Sequence, residues 1–253
     1  MILVIDAGNS NIVFALMEGE EVIHTWRSKT HARVTKETFS RGFEAAQASP
    51  EALRGGILGS VVPNLTLDLA RVFKDYTGQD LSIVGGEGFD AGVEIRVDVP
   101  GEVGADRILN IVAGVHYYGV PLIIIDFGTA VTYDVVDREG AYIGGAIGAG
   151  VGISLKALHS ETAQLPLVEF GEPPSVIAKN AFDAIQSASF FGALAAIEGM
   201  VKRIEAELGG AVKTVATGGF SSHFKGKTKA IDFFRPDLTL QGLRLMFERG
   251  PNG

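Results

Sequence analysis

The sequence predicts an α/β protein built from two duplicated half-domains around a central cleft. Three observations carry this. Ile2-Leu-Val-Ile-Asp6-Ala-Gly-Asn-Ser-Asn-Ile-Val-Phe14 and Ile123-Ile-Ile-Asp126-Phe-Gly-Thr-Ala-Val-Thr-Tyr-Asp134 read alike: a short aliphatic run, Asp-x-Gly, small hydroxyl or amide residues, then a second apolar run. Asp6 matches Asp126, Gly8 matches Gly128 and Asn9 matches Thr129, all at an offset of 120 residues. Both copies then reach a turn, Met17-Glu-Gly19 and Asp137-Arg-Glu-Gly140, and the 253-residue chain is long enough for two such halves.

Residues 2–7 and 11–17 read as the first two strands, and the alternating Glu21-Val-Ile-His-Thr-Trp26-Arg-Ser as a third that completes a meander. Trp26 is expected in the core. A helix follows from Thr35 to Ala48, with Thr35 as its N-cap and Phe39 and Phe43 on one face. Gly56 to Val62 is a short buried strand, Pro63 opens a helix to about Tyr76, and Leu81-Ser-Ile-Val is the last strand of the first half, residues 1–90. Residues 91–119 connect the halves: an irregular segment with Pro100, Gly101 and Gly104, then an apolar helix over 107–118. The second half, 120–253, repeats the meander. Tyr142 to Gly152 breaks from a strand into a glycine-rich turn, and Ser154 is expected to cap a helix to about Leu165. Ala178 to Leu208 reads as helix with a break near Ser187, Val212 to Phe220 as a strand entering a Gly-Gly turn, and Asp237 onward as a short capped helix.

A single strand-Asp-x-Gly hairpin is also what an ordinary Asx turn produces. Two copies are more demanding. Glycine lets backbone approach a ligand closely, and successive N–H groups form an anion-binding concavity. Two such turns facing a cleft would hold the phosphates of a nucleotide. The aspartates would repel phosphate, so their natural role is to hold a cation or its water shell. Asp106 stands where the 107–118 helix starts. It reads either as a helix-capping carboxylate or, with Arg107, as a carboxylate and guanidinium that handle a second substrate.

Composition excludes several classes. The net charge is −8 without a lysine and arginine cluster, so nucleic-acid binding is not expected. The hydrophobic fraction is 46%, but no apolar run reaches the roughly 18 residues needed to span a bilayer, and the start, Met-Ile-Leu-Val, has no basic n-region and runs straight into the first strand, which argues against a signal peptide. A cytoplasmic location is the expectation. There is no cysteine, and the five histidines are scattered without metal-ligand spacing.

The β-β-β-α-β-α-β order is that of a ribonuclease H-like half-domain, and its duplication with two phosphate hairpins resembles the superfamily of acetate and sugar kinases, Hsp70 and actin. Within it, Asp6-Ala-Gly-Asn-Ser10, Gly104-Ala-Asp-Arg107 with Asn110, Asp126-Phe-Gly-Thr-Ala130 with Thr132 and Asp134, Gly144-Gly145 with Gly150, and Thr217-Gly-Gly219 stand in the order seen in type III pantothenate kinases. The resemblance covers Met1 to about Leu245. It implies a homodimeric cytoplasmic enzyme that phosphorylates pantothenate from ATP, using Mg²⁺ and a monovalent cation, potassium or ammonium.

By the same resemblance, Asp6, Ala7, Gly8, Asn9, Ser10, Asn11, Ile12 and Val13 would bind ATP together with Thr129. Asp106 would be the catalytic base. Gly104, Ala105, Asp106 and Arg107 would hold pantothenate, and Asp126 the monovalent cation. The chain departs from the family pattern at Ser10, at Val97 and Val99, at Ala149, and at Ala178, Ala181 and Ala188. Ala181 replaces a threonine that contacts pantothenate in the family. These departures leave two other readings open: a nucleotide-binding homologue that serves as a regulatory or partner subunit, and a kinase for a related hydroxyl-bearing acid.

Overall fold

In the computed structural model, which describes residues 1–85 and 90–250, the two aliphatic runs begin two separate sheets. β1 (Ile2–Ala7), β2 (Asn11–Glu18) and β3 (Glu21–Lys29) form an antiparallel meander. α1 (Lys36–Ala45), β4 (Gly56–Ser60), α2 (Pro63–Thr77) and β5 (Leu81–Ile83) follow, and β4 and β5 continue the sheet in parallel on the other side of β1. After α3 (Ala105–Tyr118) the pattern returns in β6 (Leu122–Phe127), β7 (Ala130–Val136) and β8 (Tyr142–Ala149). Then come α4 (Val151–Ser160), α5 (Ala181–Glu207), β9 (Lys213–Thr217), β10 (Phe233–Phe234) and α6 (Leu238–Arg249). The sheet orders are β3-β2-β1-β4-β5 and β10-β9-β6-β7-β8, the same arrangement read from opposite edges.

The chain divides into two units. The first holds the described residues of Met1–Glu94, Asp98–His116 and Leu238–Gly253; the second holds Ile95–Val97 and Tyr117–Asp237. The division differs from the sequence reading in two places. Residues 95–97 are not merely a loose connection. Ile95 bridges to Tyr142, and Arg96 N–H donates to the Tyr142 carbonyl at 2.8 Å, so they extend the second sheet beside β8. And α6, which the reading placed in the second half, belongs to the first unit. It lies against β1 and β4, and Gly242 allows backbone contact with α3, since a Cβ there would sit 2.2 Å from the Leu109 carbonyl oxygen.

Strand alternation decides what each face does. In the first unit Leu3, Ile5, Phe14, Leu16 and Leu58 point into a core shared with Phe39, Phe43 and Phe73. Trp26, half-buried, packs against this core, stacked on Phe14 with ring centroids 5.2 Å apart. The opposite face carries Asp6 and Gly59, and it is covered by Leu109 of α3 and Leu243 of α6. In the second unit Ile123, Ile125, Phe127 and Tyr133 face Phe190, Ile197 and Val201 of α5. That leaves Asp126, Thr132, Asp134 and Thr217 together on the other face.

Several local expectations are corrected. Ser154 does not cap α4. Gly150 is the N-cap, and the Ser154 hydroxyl instead donates to the Gly150 carbonyl at 3.1 Å within the first turn. α5 starts at Ala181 and runs unbroken past Ser187. Asn180 caps it by accepting the Asp183 N–H at 2.9 Å, and the Ser187 hydroxyl donates to the Val176 carbonyl at 2.6 Å rather than interrupting the helix. The reading missed the two-residue β10, and it made α6 shorter than its 12 residues. By length and composition alone α5 could cross a membrane, contrary to the reading from apolar runs. Its Phe190, Ile197 and Val201 are buried in the core of the second unit, while 28% of its most apolar window is buried in all.

Candidate active site

The first turn is held from β3. Gly8 N–H donates to the Asn11 carbonyl at 3.0 Å and closes the turn between β1 and β2. The Thr30 hydroxyl donates to the Gly8 carbonyl at 2.6 Å, and Lys29 Nζ to Asn11 Oδ1 at 3.0 Å. Asn9 and Ser10 are exposed at the tip, whereas the side chains of Ala7 and Ile12 are buried in the core. Of the stretch Asp6–Val13, the tip is therefore what a ligand can meet, and Ala7 and Ile12 can offer only backbone.

The Asp106 segment comes to the same end of the same sheet. Beyond β4, Val61 N–H donates to the Ala7 carbonyl at 3.1 Å. A Cβ on Gly104 would lie 3.4 Å from Val61 Cγ1 and 2.6 Å from Asp106 Oδ1. So Gly104, Ala105, Asp106 and Arg107 sit beside the strand ends from which the Gly8 turn departs, and glycine leaves room for the carboxylate. Asp106 is the second residue of α3, not its cap. Its Oδ1 accepts the Arg107 N–H at 2.8 Å, one of the first-turn donors a helix leaves without an intrahelical partner.

In the second unit the Asp126 carboxylate lies between two glycines. A Cβ would meet its Oδ1 at 3.6 Å from Gly128 and at 2.3 Å from Gly218. Gly218 also has φ +86°, a conformation that disfavours any other residue. Thr129 is exposed at the hairpin turn, and its carbonyl accepts the Gly150 N–H at 3.1 Å. Ala181 is exposed at the first position of α5. The crowding of glycines serves the backbone. A Cβ at Gly145 would lie 1.7 Å from the Tyr133 carbonyl oxygen, and one at Gly150 would lie 2.2 Å from that of Thr129. Gly145 thus lets β8 lie close on β7, and Gly150, the N-cap of α4, lets the chain pass close to the turn between β6 and β7.

The candidate ligands in both units are oxygen atoms, which suit hard cations. Among the described residues no three His, Cys, Asp or Glu side chains converge as a metal cluster. What the protein could offer a cation is therefore oxygen donors built around Asp6 in the first unit and Asp126 in the second. One polar group went unmarked in the sequence reading except as part of a Thr-Gly-Gly strand end. Thr217 is fully buried, and its hydroxyl has no hydrogen-bond partner, an arrangement that costs about 1–3 kcal/mol.

The family profile of type III pantothenate kinase matches residues 2–203. The chain belongs to the type III pantothenate kinase family. It is 44% identical to the type III pantothenate kinase of Brevibacillus brevis over 98% of this chain and 99% of that one, and 42% identical to that of Acidiphilium cryptum over 99% and 96%. Two solved structures share its fold: a conserved Baf family protein from Campylobacter jejuni (TM-score 0.62, 16% identity, covering 99% of this chain and 100% of that one) and component A of the (R)-2-hydroxyglutaryl-CoA dehydratase from Acidaminococcus fermentans (0.52, 12%, 96% and 94%). The motifs that suggested a type III pantothenate kinase divide between the units, with Asp6–Val13 and Gly104–Arg107 in the first and Asp126 and Thr129 in the second, where Ala181 also lies.

Proposed function

We propose how this chain's residues divide the work of ATP-dependent pantothenate phosphorylation, the activity that family membership carries. The observation behind the proposal is the placement of Asp106, fixed at the start of α3 beside the strand ends that carry the Gly8 turn. Phosphoryl transfer needs positioning and charge neutralisation, with one carboxylate to orient the attacking hydroxyl. The backbone N–H groups at the exposed tip, Asn9 and Ser10, bind ATP phosphates, the Gly8 N–H being used to close the turn, and Thr129 is the ATP-binding residue of the second hairpin. Asp106 accepts the proton of the pantothenate hydroxyl as its oxygen attacks the γ-phosphorus, and the electron pair of the broken bond goes to the β,γ-bridging oxygen of ADP. Gly104, Ala105 and Arg107 orient pantothenate, with Ala181 lining its site. Asp6 would hold the Mg²⁺ shell, and Asp126 would hold potassium or ammonium. Mg²⁺, when bound, neutralises phosphate charge.

Three further parts of the reading rest on this assignment. The matching order of the two sheets supports two copies of a ribonuclease H-like half-domain, as in actin-like ATPases. Ile147, Val176, Ile177 and Phe182 of the second unit are exposed apolar side chains, which supports a homodimer. A cytoplasmic location suits a kinase that draws on ATP. The test is a coupled assay of ADP release. Release that depends on pantothenate is the expected result. Release only with another hydroxyl-bearing acid would change the substrate, and nucleotide binding without release would leave the partner-subunit reading.

A further inference from the structure

The two sheets provide an internal comparison around their paired aspartates. In the first, Asp6 has Val13 beside it on β2 and Gly59 on β4, and the next position along that face of β2 is Ala15, opposite Val4. In the second, the corresponding neighbours of Asp126 are Thr132 on β7 and Thr217 on β9, and the next position is Asp134, opposite Ile124. Apolar or bare positions in one sheet are thus two hydroxyls and a carboxylate in the other. The fold itself does not call for them, since the first sheet is built without them.

These groups are deeply placed. Asp134 and Thr217 are both 0% exposed. The Thr132 hydroxyl donates to Asp134 Oδ2 at 3.0 Å, so its remaining capacity is its lone pairs. Thr217 Oγ1 has neither donor nor acceptor within reach. The Asp126 carboxylate leans towards the end of β9, where its Oδ1 occupies the space a Gly218 side chain would need. A buried hydroxyl is stabilised only when something meets it, and here it stands on the same sheet face as two carboxylates.

We propose that Thr217 is a further residue of the cation site at Asp126, its hydroxyl oxygen facing a weakly hydrated monovalent cation, with Thr132 oriented by Asp134 as its supporting neighbour. This rests on the assignment of Asp126 to a monovalent cation. Hydroxyl oxygens with a carboxylate in a dry setting suit such an ion better than Mg²⁺, which demands octahedral geometry and keeps several waters.

The test uses the full chain, potassium chloride titrated against tetramethylammonium chloride at constant ionic strength, and thermal unfolding as readout. Thr217→Val keeps the shape and removes the hydroxyl; Thr217→Ser keeps the hydroxyl. In potassium-free buffer Thr217→Val should be at least as stable as the wild type, because an orphan hydroxyl has been replaced by a methyl group. Its apparent potassium dissociation constant should rise about tenfold, equivalent to about 1.4 kcal/mol, while Thr217→Ser stays within about threefold. A valine variant that loses stability without potassium and keeps the wild-type potassium midpoint would make Thr217 purely structural and overturn the proposal. So would a wild type without any potassium-dependent shift, even with pantothenate-dependent ADP release intact. A hydroxyl-dependent potassium shift in a protein that releases no ADP would uphold the cation site and overturn the kinase roles alone.

Discussion

Replacing Gly218 with alanine tests the geometry around Asp126 most directly. The added Cβ would fall 2.3 Å from Asp126 Oδ1 and 2.7 Å from both the backbone N and C of Phe127, at a residue with φ +86°. Forcing an L-residue into the left-handed region costs about 1–2 kcal/mol. Overpacking against neighbours that cannot move cheaply costs about 1–3 kcal/mol more, so the variant should lose about 2–5 kcal/mol. At roughly 2–4 °C per kcal/mol for a chain of this size, thermal unfolding should shift down by about 4–20 °C. Two other glycines separate the contributions. Gly78 has φ +75° but open space around it, so Gly78→Ala should lose only the strain, about 1–2 kcal/mol. Gly219 has an ordinary φ and nothing within 4 Å, so Gly219→Ala should leave stability unchanged. Differential scanning calorimetry of the three variants is the assay. If Gly218→Ala melts within a degree of Gly78→Ala, the close packing of Gly218 on Asp126 and Phe127 is refuted.

Asp106→Asn should lower kcat by roughly 10²–10⁴-fold while ADP binding, measured by calorimetry, survives; near-normal turnover would reduce Asp106 to a first-turn acceptor for the Arg107 N–H. Asp126→Asn should abolish the response of the rate to potassium or ammonium more than the Mg²⁺ requirement, and equal wild-type rates in sodium, potassium and ammonium salts would contradict the assignment. Ala181→Thr should restore a hydrogen bond worth about 0.5–1.5 kcal/mol, lowering the pantothenate KM about two- to tenfold with the ATP KM unchanged. A pantothenate KM that does not move would place Ala181 outside the substrate site.

Much of the fold was legible because its signals are local. The aliphatic runs before Asp6 and Asp126 became β1 and β6, and each Asp-x-Gly became a hairpin turn, because strand period and turn chemistry act over a few residues. Phe39 and Phe43 came out buried in α1 for the same reason, since residues four apart share a helix face. The errors fell where local signals compete. Ser154 has the chemistry of a cap, but β8 ends at Ala149 and the helix can start at once, so Gly150 takes the position. β10 was unreadable because a two-residue strand has no period, and its pairing with β9 is all that defines it.

The sequence by itself determined the repeated strand-turn-strand units, the glycines their turns need and the carboxylates they carry, because these depend on steric limits and spacing within a short stretch. Only the tertiary structure decided which distant segments meet. It returned α6 to the first sheet, where an apolar helix face and the bare Gly242 could cover the surface beside Asp6. It carried Gly104 and Asp106 to the strand ends of that same sheet. It also left the Thr217 hydroxyl buried beside Asp126. Burial and pairing across sheets are sums over partners far apart in the chain, and no single stretch of residues contains them.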